Sequence, residues 1–305
     1  MKEFYAFMIG KLLGDGTIVK QDGRAPRFSM LHRKEDKNYL ESCHQFLGEY
    51  IFLSPIIYKR SINPKIKKGF SECYYCYSRK NSMIQELYYL WYPNKKKTLP
   101  KAFIERYFNT RSLAIWYQDD GHLKVEKGKA RKVVLSTECF TNGEISFLQY
   151  LISSKYNIFF RMDKQRRLIL YNTKEIMYFL FLTRPFLYPG MHRKNLLDTE
   201  IKEVLKKKRT TISLPDPIPS EKPTLFINNS LYHTEQLQDS IRNKTFYNNY
   251  YALLTSRAYN NKYQINIDAK SITRMNNIKR NTGLTYNEIA YLCLLINNKK
   301  ITQGD

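Results

Sequence analysis

"LLGDG", residues 12–16, closes an apolar run that begins at Phe4 and sets one carboxylate, Asp15, between two glycines. Alone, such a stretch reads as a helix stop, because glycine readily takes the left-handed conformation that ends helices and Asp or Asn often stands beside it. The signal recurs, however. "MIGKLLGDG" at 8–16 and "LAIWYQDDG" at 113–121 both carry an apolar helical stretch into Asp-Gly, and Asp15 matches Asp120 at an offset of 105 residues. The segments after the two motifs are alike in kind. A short β-like run comes first ("TIVK", then "HLKV"), then a second ("RFSMLHR", then "KVVLSTE") and a helical segment ("DKNYLESCHQFLGEYI", then "NGEISFLQYLISSKY"). Two more runs come next ("PIIYKRSI" and "FSECYYCYSR", then "NIFFRMD" and "RLILYN"), and a closing helix ("NSMIQELYYLWY", then "TKEIMYFLFL"). Alternating β-branched and aromatic residues mark the strands and three-and-four apolar spacing marks the helices, so the order is αββαββα, twice.

Two such halves predict a pseudo-dimer within one chain, with an approximate two-fold axis relating equivalent residues. In the first helix Ala6, Gly10 and Gly14 recur every four residues and form a smooth stripe for close packing of a second helix. The second helix has Ile115 and Asp119 at the places of Gly10 and Gly14, so its own stripe is rougher. If the two helices run together along the axis, Asp15 and Asp120 meet at their ends. Carboxylates so placed repel unless protonated or bridged by a cation, and hard oxygen ligands favour Mg²⁺.

Lys and Arg number 51 against 27 Asp and Glu, a net charge of +24 that a polyanion would relieve. Nucleic acid is the expected partner. An anionic membrane is not, because the basic residues are spread over the whole length, and the longest apolar stretches, such as "IMYFLFL" at 176–182, are far below the ~20 residues that span a bilayer. No signal peptide is read, since Lys11 and Asp15 interrupt the first apolar run, and an intracellular location is expected: a bacterial or phage-infected cytoplasm or an organelle. Five cysteines, an odd count, point to reduced thiols. The pair in "CYYC" has zinc-ligand spacing but no second pair at a suitable distance, and its aromatic surroundings read as a strand.

The expected domains are 1–110 and 111–212 for the two halves, a linker at 213–226 with four prolines in "SLPDPIPSEKPTLF", and a basic, partly helical extension at 227–305. In the extension Gly283 separates two helix-like stretches, and Thr285 with Glu288 forms a capping-box pattern; a helix-turn-helix and a packing extension both fit.

At the two Asp-Gly motifs, and in "LPKAFIERYFNTRSLAIWYQDDG" and "LSTECFTNGEISFLQYL", the chain resembles the LAGLIDADG homing endonucleases in their single-chain, two-motif form, over about residues 4–200. The resemblance implies an α+β fold of two pseudo-symmetric αββαββα halves, their antiparallel sheets forming a saddle, in a monomer acting on double-stranded DNA. It implies a site-specific endonuclease making metal-dependent double-strand breaks with short 3′ overhangs at a long recognition site, the activity that spreads an intron. By motif position Asp15 and Asp120 would be catalytic and would hold Mg²⁺ or Mn²⁺, with the backbone carbonyls of Gly14 and Asp119 assisting. Asp119 is a competing acid, which otherwise reads as a helix-terminal carboxylate. Trp116 and Tyr117 read as core.

On this reading the strands lie in the major groove, whose base edges carry an unambiguous code. Candidate contacts are Lys20, Arg24, Arg27, Arg33, Lys59, Arg60 and Arg79 in the first half, and Lys124, Lys129, Arg131, Lys132, Arg161, Lys164, Arg166 and Arg167 in the second. Tyr58, Tyr74 and Tyr77 would buttress or touch DNA. Solvated surface charge is the ordinary alternative for each of the basic residues. Two other functions fit the same fold. One is an intron RNA maturase that assists splicing; the other is a non-catalytic DNA-binding regulator. Retention of both acids favours cleavage.

Overall fold

The computed structural model describes residues 1–62, 64–65, 67–196, 206–254 and 258–301. Residues 197–200 of the stretch carrying the family resemblance, and 302–305 of the extension, lie outside the described residues. Two compact units are present. One comprises 1–172 and 179–196, and the other comprises 173–178 with the described residues from 206 on.

In the first unit the elements run α1 (Lys2–Leu13), β1 (Thr17–Val19), β2 (Arg27–Arg33), α2 (Lys37–Gly48), β3 (Ile57–Ile62), β4 (Phe70–Tyr77) and α3 (Ser82–Trp91). A connecting helix, α4 (Lys101–Tyr107), leads to α5 (Thr110–Asp120), β5 (Gly121–Glu126), β6 (Lys129–Leu135), α6 (Asn142–Tyr156), β7 (Arg161–Met162), β8 (Leu168–Leu170) and α7 (Thr173–Thr183), of which residues 173–178 are counted with the second unit. The αββαββα order thus appears twice, as expected. Two antiparallel sheets share one topology, β1-β2-β4-β3 and β5-β6-β8-β7.

Local signals explain several boundaries. Asn109 caps α5 and Thr141 caps α6, each in a reciprocal capping box with Ser112 and Glu144. Left-handed Asn157 (φ 55°) ends α6. Strand β7 is shorter than the run "NIFFRMD" led us to expect. The Asp163 carboxylate accepts the N–H groups of Gln165 and Arg167, which folds the chain into a tight turn, with Arg166 at φ 63°, before pairing extends.

α1 and α5 form the midline. Phe4, Phe7, Met8, Ile9, Leu12 and Leu13 of α1, and Leu113 to Tyr117 of α5, are all buried. A helix buried on every side belongs to a core rather than a surface. The sequence left close approach open because Ile115 and Asp119 roughen the second helix. The structure resolves this by complementarity, because the bulky residues of α5 sit over the bare positions of α1. A Cβ added at Gly10 would lie 2.7 Å from Ile115 Cβ and 2.7 Å from the Ser112 carbonyl oxygen. One added at Gly14 would lie 2.5 Å from Asp119 Cβ. The Ser112 hydroxyl donates to the Ala6 carbonyl across the seam at 2.7 Å. We expect Gly10→Ala to destabilise the protein by about 1–3 kcal/mol despite alanine's better helix propensity, because a backbone carbonyl cannot move aside. Denaturant midpoints of the two proteins measure this directly.

The second unit contains β9 (Lys208–Leu214) paired antiparallel with β10 (Asn261–Ile267), and helices α8 (Pro223–Ser230), α9 (Thr234–Arg242), α10 (Phe246–Tyr250), α11 (Ala269–Thr282) and α12 (Tyr286–Ile301). It has its own core, including Ile212, Leu214, Ile265, Ile267, Met275 and Leu292. The stretch 213–226, expected as a linker, begins inside β9 and ends inside α8; its four prolines leave only the bend between them irregular, and Pro223 opens α8, where the missing N–H costs nothing. The Thr285–Glu288 capping box forms as expected. The helix-turn-helix reading fares differently. A recognition helix must keep a face bare for the groove, whereas Ile289 to Leu294 of α12 are buried without a break, so α11 and α12 are the scaffold of this unit. Gly283 between them is left-handed at φ 73°, and a side chain there would strike the Thr173 backbone at 2.6 Å.

Candidate active site at the helix midline

The carboxylate of Asp119 is completely buried at the seam. Its Oδ1 accepts from Lys11 Nζ at 2.8 Å and from the Tyr39 hydroxyl at 2.7 Å, and its Oδ2 accepts the Asp15 backbone N–H at 3.1 Å. The ends of the two motifs are thereby fastened to one another. Lys11 is equally buried; burial alone would drive its ammonium to release a proton, but the charge and hydrogen bond of Asp119, with the Cys43 and Asp15 charges, together outweigh that and its pKa is raised. A charge inside an apolar helix was the one sequence sign of this pair. Its partners, Tyr39 and His32, gave none.

His32 joins the same network. Its Nε2 lies 3.0 Å from Lys11 Nζ, and an ammonium can only donate, so Nε2 is the acceptor and the ring proton sits on Nδ1. Nδ1 lies 3.6 Å from Asp15 Oδ2. Burial, then the Lys11 charge, depresses the His32 pKa to about 3, which keeps the ring neutral. Asp15, His32 and Asp119 each offer a ligand atom within 4.8 Å of the others. The hydrogen bonds divide them: Asp119 and the His32 Nε2 lone pair are already engaged, and Asp15, the exposed member, has the open oxygens.

Asp120 is half-buried at the end of α5. Burial raises its pKa to about 7, with the Asp15 and Asp119 charges adding to the effect, and burial followed by the Asp119 charge raises that of Asp15 to about 6. Two lysines that could not be picked out of "NKKKT" and "MHRKN" also face this end. Lys194 donates to the carbonyl oxygens of Tyr117 (3.1 Å), Gln118 and Asp119 (3.2 Å), occupying the C-terminal end of α5 where a cation is favoured. Burial lowers its pKa to about 8. Lys97 is half-buried; burial lowers its pKa as well, opposed by the charges of Cys139, Asp120, Asp15 and Asp119.

These shifts fix a pH dependence. An unfolded Asp titrates near about 3.9, so between roughly pH 4 and 7 the folded, metal-free protein binds more protons at Asp15 and Asp120 than the unfolded chain does. Their contribution to stability is present below about pH 4 and is lost as pH rises through about 6 and 7. His32 acts in the opposite sense, since the unfolded ring gains a proton below about pH 6.5 and the folded one does not. The carboxylate part is isolated by comparing thermal midpoints of the native chain and an Asp15→Asn, Asp120→Asn variant in EDTA. The difference should move against the native chain from pH 4.5 to 7.5.

Strand register sorts the basic residues. In the first sheet Arg27, Arg33 and Lys59 share the face opposite the buried Phe28 and Met30, together with Tyr77. Arg60 is on the other face with Tyr58 and Tyr74, stacked 3.7 Å over Phe70, because neighbours in a strand point oppositely. Lys20 lies over the Tyr88 and Tyr89 rings of α3 rather than on the strand face. In the second sheet Lys124 opposes Lys132 on the face away from Leu123 and Val133, and register places Arg161 with them. Arg24, Arg79, Lys129, Arg131 and Lys164 are exposed on turns and strand ends. Arg166 and Arg167 are committed internally: the Arg166 guanidinium donates to the Phe140 carbonyl, and Arg167 is paired with Asp163 at 2.7 Å. The "CYYC" cysteines occupy β4 three residues apart, so Cys73 and Cys76 face opposite sides, and both are free thiols.

The sequence model of the LAGLIDADG DNA endonuclease family matches residues 5–180. A probable intron-encoded endonuclease 1 of Wickerhamomyces canadensis is 26% identical over 197 residues, covering 63% of this chain and 83% of that protein. The cytochrome b mRNA maturase bI2 of Debaryomyces hansenii is 32% identical over 191 residues, 61% of this chain and 68% of that one. Among solved structures, the homing endonuclease I-WcaI bound to its DNA recognition sequence superposes with a TM-score of 0.57 at 24% identity, over 65% of this chain and 88% of that one. No helix among the described residues is long and apolar enough to cross a membrane.

Proposed function

The chain belongs to the LAGLIDADG DNA endonuclease family, and we propose that it is a site-specific homing endonuclease that cuts both strands of duplex DNA with Asp15 and Asp120 as its catalytic acids. The observation that carries this reading is the bond from the Asp15 N–H to Asp119 Oδ2, which brings the two motif ends to one place. The donor set fits a hard divalent cation. Asp15 and Asp120 are carboxylates whose pKa values are raised by burial first and by neighbouring carboxylate charge second, and a bound cation would offset both. Asp15, Asp120 and the carbonyl oxygens of Gly14 and Asp119 would hold Mg²⁺ or Mn²⁺. Such an ion, when bound, neutralises charge on the scissile phosphate and acidifies a water for in-line attack.

The protein's own part is positioning. Lys194, bound to three successive carbonyls, fixes the turn that presents Asp120. The Lys11–His32 pair aims an N–H at Asp15. Lys97 adds positive potential beside both acids and would balance charge gathering on phosphorus. Arg27, Arg33 and Lys59 on one sheet, and Lys124, Lys132 and Arg161 on the other, are placed to meet base edges and phosphates.

The decisive experiment incubates purified protein with a plasmid carrying the intronless form of the element's insertion site, in Mg²⁺ or in EDTA. Linear product only in Mg²⁺ supports the proposal; intact plasmid under both conditions overturns it. The likeness to a protein named as a cytochrome b mRNA maturase favours a second reading, assistance to intron RNA splicing on the same fold. That reading predicts that precursor RNA splices in vitro only when the protein is added.

A further inference from the structure

The family model ends at residue 180, and the second unit beyond it bears a surface that the proposed reaction leaves unused. Strands β9 and β10 pair along seven consecutive positions. One side of this ribbon sends Ile212, Leu214, Ile265 and Ile267 into the core. The other side is a grid of three facing pairs: Arg209 with Asn266, Thr211 with Gln264, and Ser213 with Lys262. Five of the six are exposed and Ser213 is half-exposed. All six side chains have a hydrogen-bonding head group, and none is a carboxylate. Surfaces kept merely soluble mix both signs of charge. This one carries only cations, amides and hydroxyls, and the exposed Lys206 and Lys207 lead into its first strand.

From this grid we infer that the β9–β10 ribbon is a second nucleic-acid contact, which lies in the major groove of duplex DNA and reads base edges there. The major groove admits a two-stranded ribbon, and these head groups are the ones that pair with its edges: Arg and Lys with guanine, Asn and Gln with adenine, Ser and Thr with either. Successive outward residues on a strand are spaced about 6.8 Å apart, or roughly two base steps. The Arg209 guanidinium already donates to the Gln264 side-chain oxygen at 2.6 Å, which holds it over the ribbon instead of loose in solvent. The net charge of +24 supplies the attraction that a polyanion answers. Duplex RNA fits less well, because its major groove is too narrow for side chains to read. The inference rests on duplex DNA being the substrate.

The test uses the full chain carrying Asp15→Asn and Asp120→Asn, so that binding is measured without cutting, and a 60-base-pair duplex centred on the intronless insertion site. The parent should give two blocks of protection, from hydroxyl radicals and from methylation at guanine N7. One should cover the cleavage site and one should lie outside it. Adding Arg209→Ala, Lys262→Ala and Gln264→Ala should erase the outer block alone and weaken binding about 10- to 100-fold. The log–log salt slope should fall by about two. Arg209→Glu alone should weaken binding as well, with an unchanged thermal midpoint. An unaltered footprint, affinity and salt slope in the triple variant would overturn the ribbon while leaving the central block, and the endonuclease reading, standing. Loss of the central block in the parent itself would instead sink the endonuclease reading and the ribbon with it. Weakened binding to an RNA duplex, with DNA binding unchanged, would also overturn it.

Discussion

Replacing Asp15 or Asp120 by Asn is expected to lower Mg²⁺-dependent DNA cleavage by about a thousandfold or more, while binding to the same duplex persists. Asparagine keeps the size and one oxygen of the carboxylate and removes its charge. Hydration and folding change little, whereas the affinity for a divalent cation is largely lost. The two substitutions should act as a unit, the double variant being little worse than either single one for double-strand cutting. Single variants separate on nicking. If each acid serves one strand, as the family resemblance implies, each single variant should accumulate nicked circles cut on opposite strands. The surroundings of the two acids differ: the residue at the offset position of His32 is Thr137, a buried hydroxyl committed to the Arg166 carbonyl. Among the described residues Asp15 has the His32 imidazole N–H within 3.6 Å and Asp120 has no histidine within ion-pair distance, so His32→Ala should slow one strand more than the other. Metal-dependent double-strand breaks that survive both Asn substitutions would remove these residues from the mechanism. Asp119→Asn separates the competing acid: its loss should appear mainly in stability, since its oxygens are occupied by Lys11, Tyr39 and the Asp15 N–H.

The second large effect concerns the Lys11–Asp119 pair itself. Both side chains have no solvent exposure. Removing one partner leaves an uncompensated charge in the core, at a cost of about 3–5 kcal/mol. We expect Lys11→Met to destabilise the protein by that amount. Replacing both, as Lys11→Met with Asp119→Leu, should be less harmful than either single change, because no buried charge then remains. A double-mutant cycle by urea denaturation reads the coupling. If the single variants cost under about 1 kcal/mol, the pair is solvated and the seam is not held as described. Lys11→Met also frees His32 Nε2, so the tautomer that now faces an N–H toward Asp15 loses its constraint. Nitrogen-15 spectra of the imidazole should show Nδ1 protonated in the native chain and a mixture in the variant.

The repeated fold was legible in the chain because its signals are local. Periodicity identified the strands and helices, and the small residues Ala6, Gly10 and Gly14, four apart at the first helix, announced a close neighbour. Asp15 and Asp120 were located because a carboxylate before glycine at the end of an apolar helix, met twice at one interval, is itself a sequence pattern. Register then lay beyond reach. Lys59 and Arg60 are adjacent and chemically alike, and alternation sends them to opposite faces; which of them joins Arg27 and Arg33 is decided by pairing with β4, a property of two strands rather than one.

What only the tertiary structure decided has one common cause, the meeting of groups distant along the chain. Lys11 is an interruption in an apolar run until Asp119 faces it, 108 residues away, and His32 acquires its tautomer only from that lysine. Lys97 and Lys194 stand in unremarkable basic runs, and burial beside the carboxylates of Asp119, Asp15 and Asp120 sets them apart. α11 and α12 have the capping pattern of a helix-turn-helix, and burial of Ile289 to Leu294 on every side makes the middle of α12 part of the core. The sequence by itself determined the duplicated architecture and singled out the two motif-end carboxylates as candidates, because these come from local backbone and side-chain preferences. Charge balance, protonation and the direction of each basic side chain depend on long-range packing in a low-dielectric interior, so they took shape only with the folded chain.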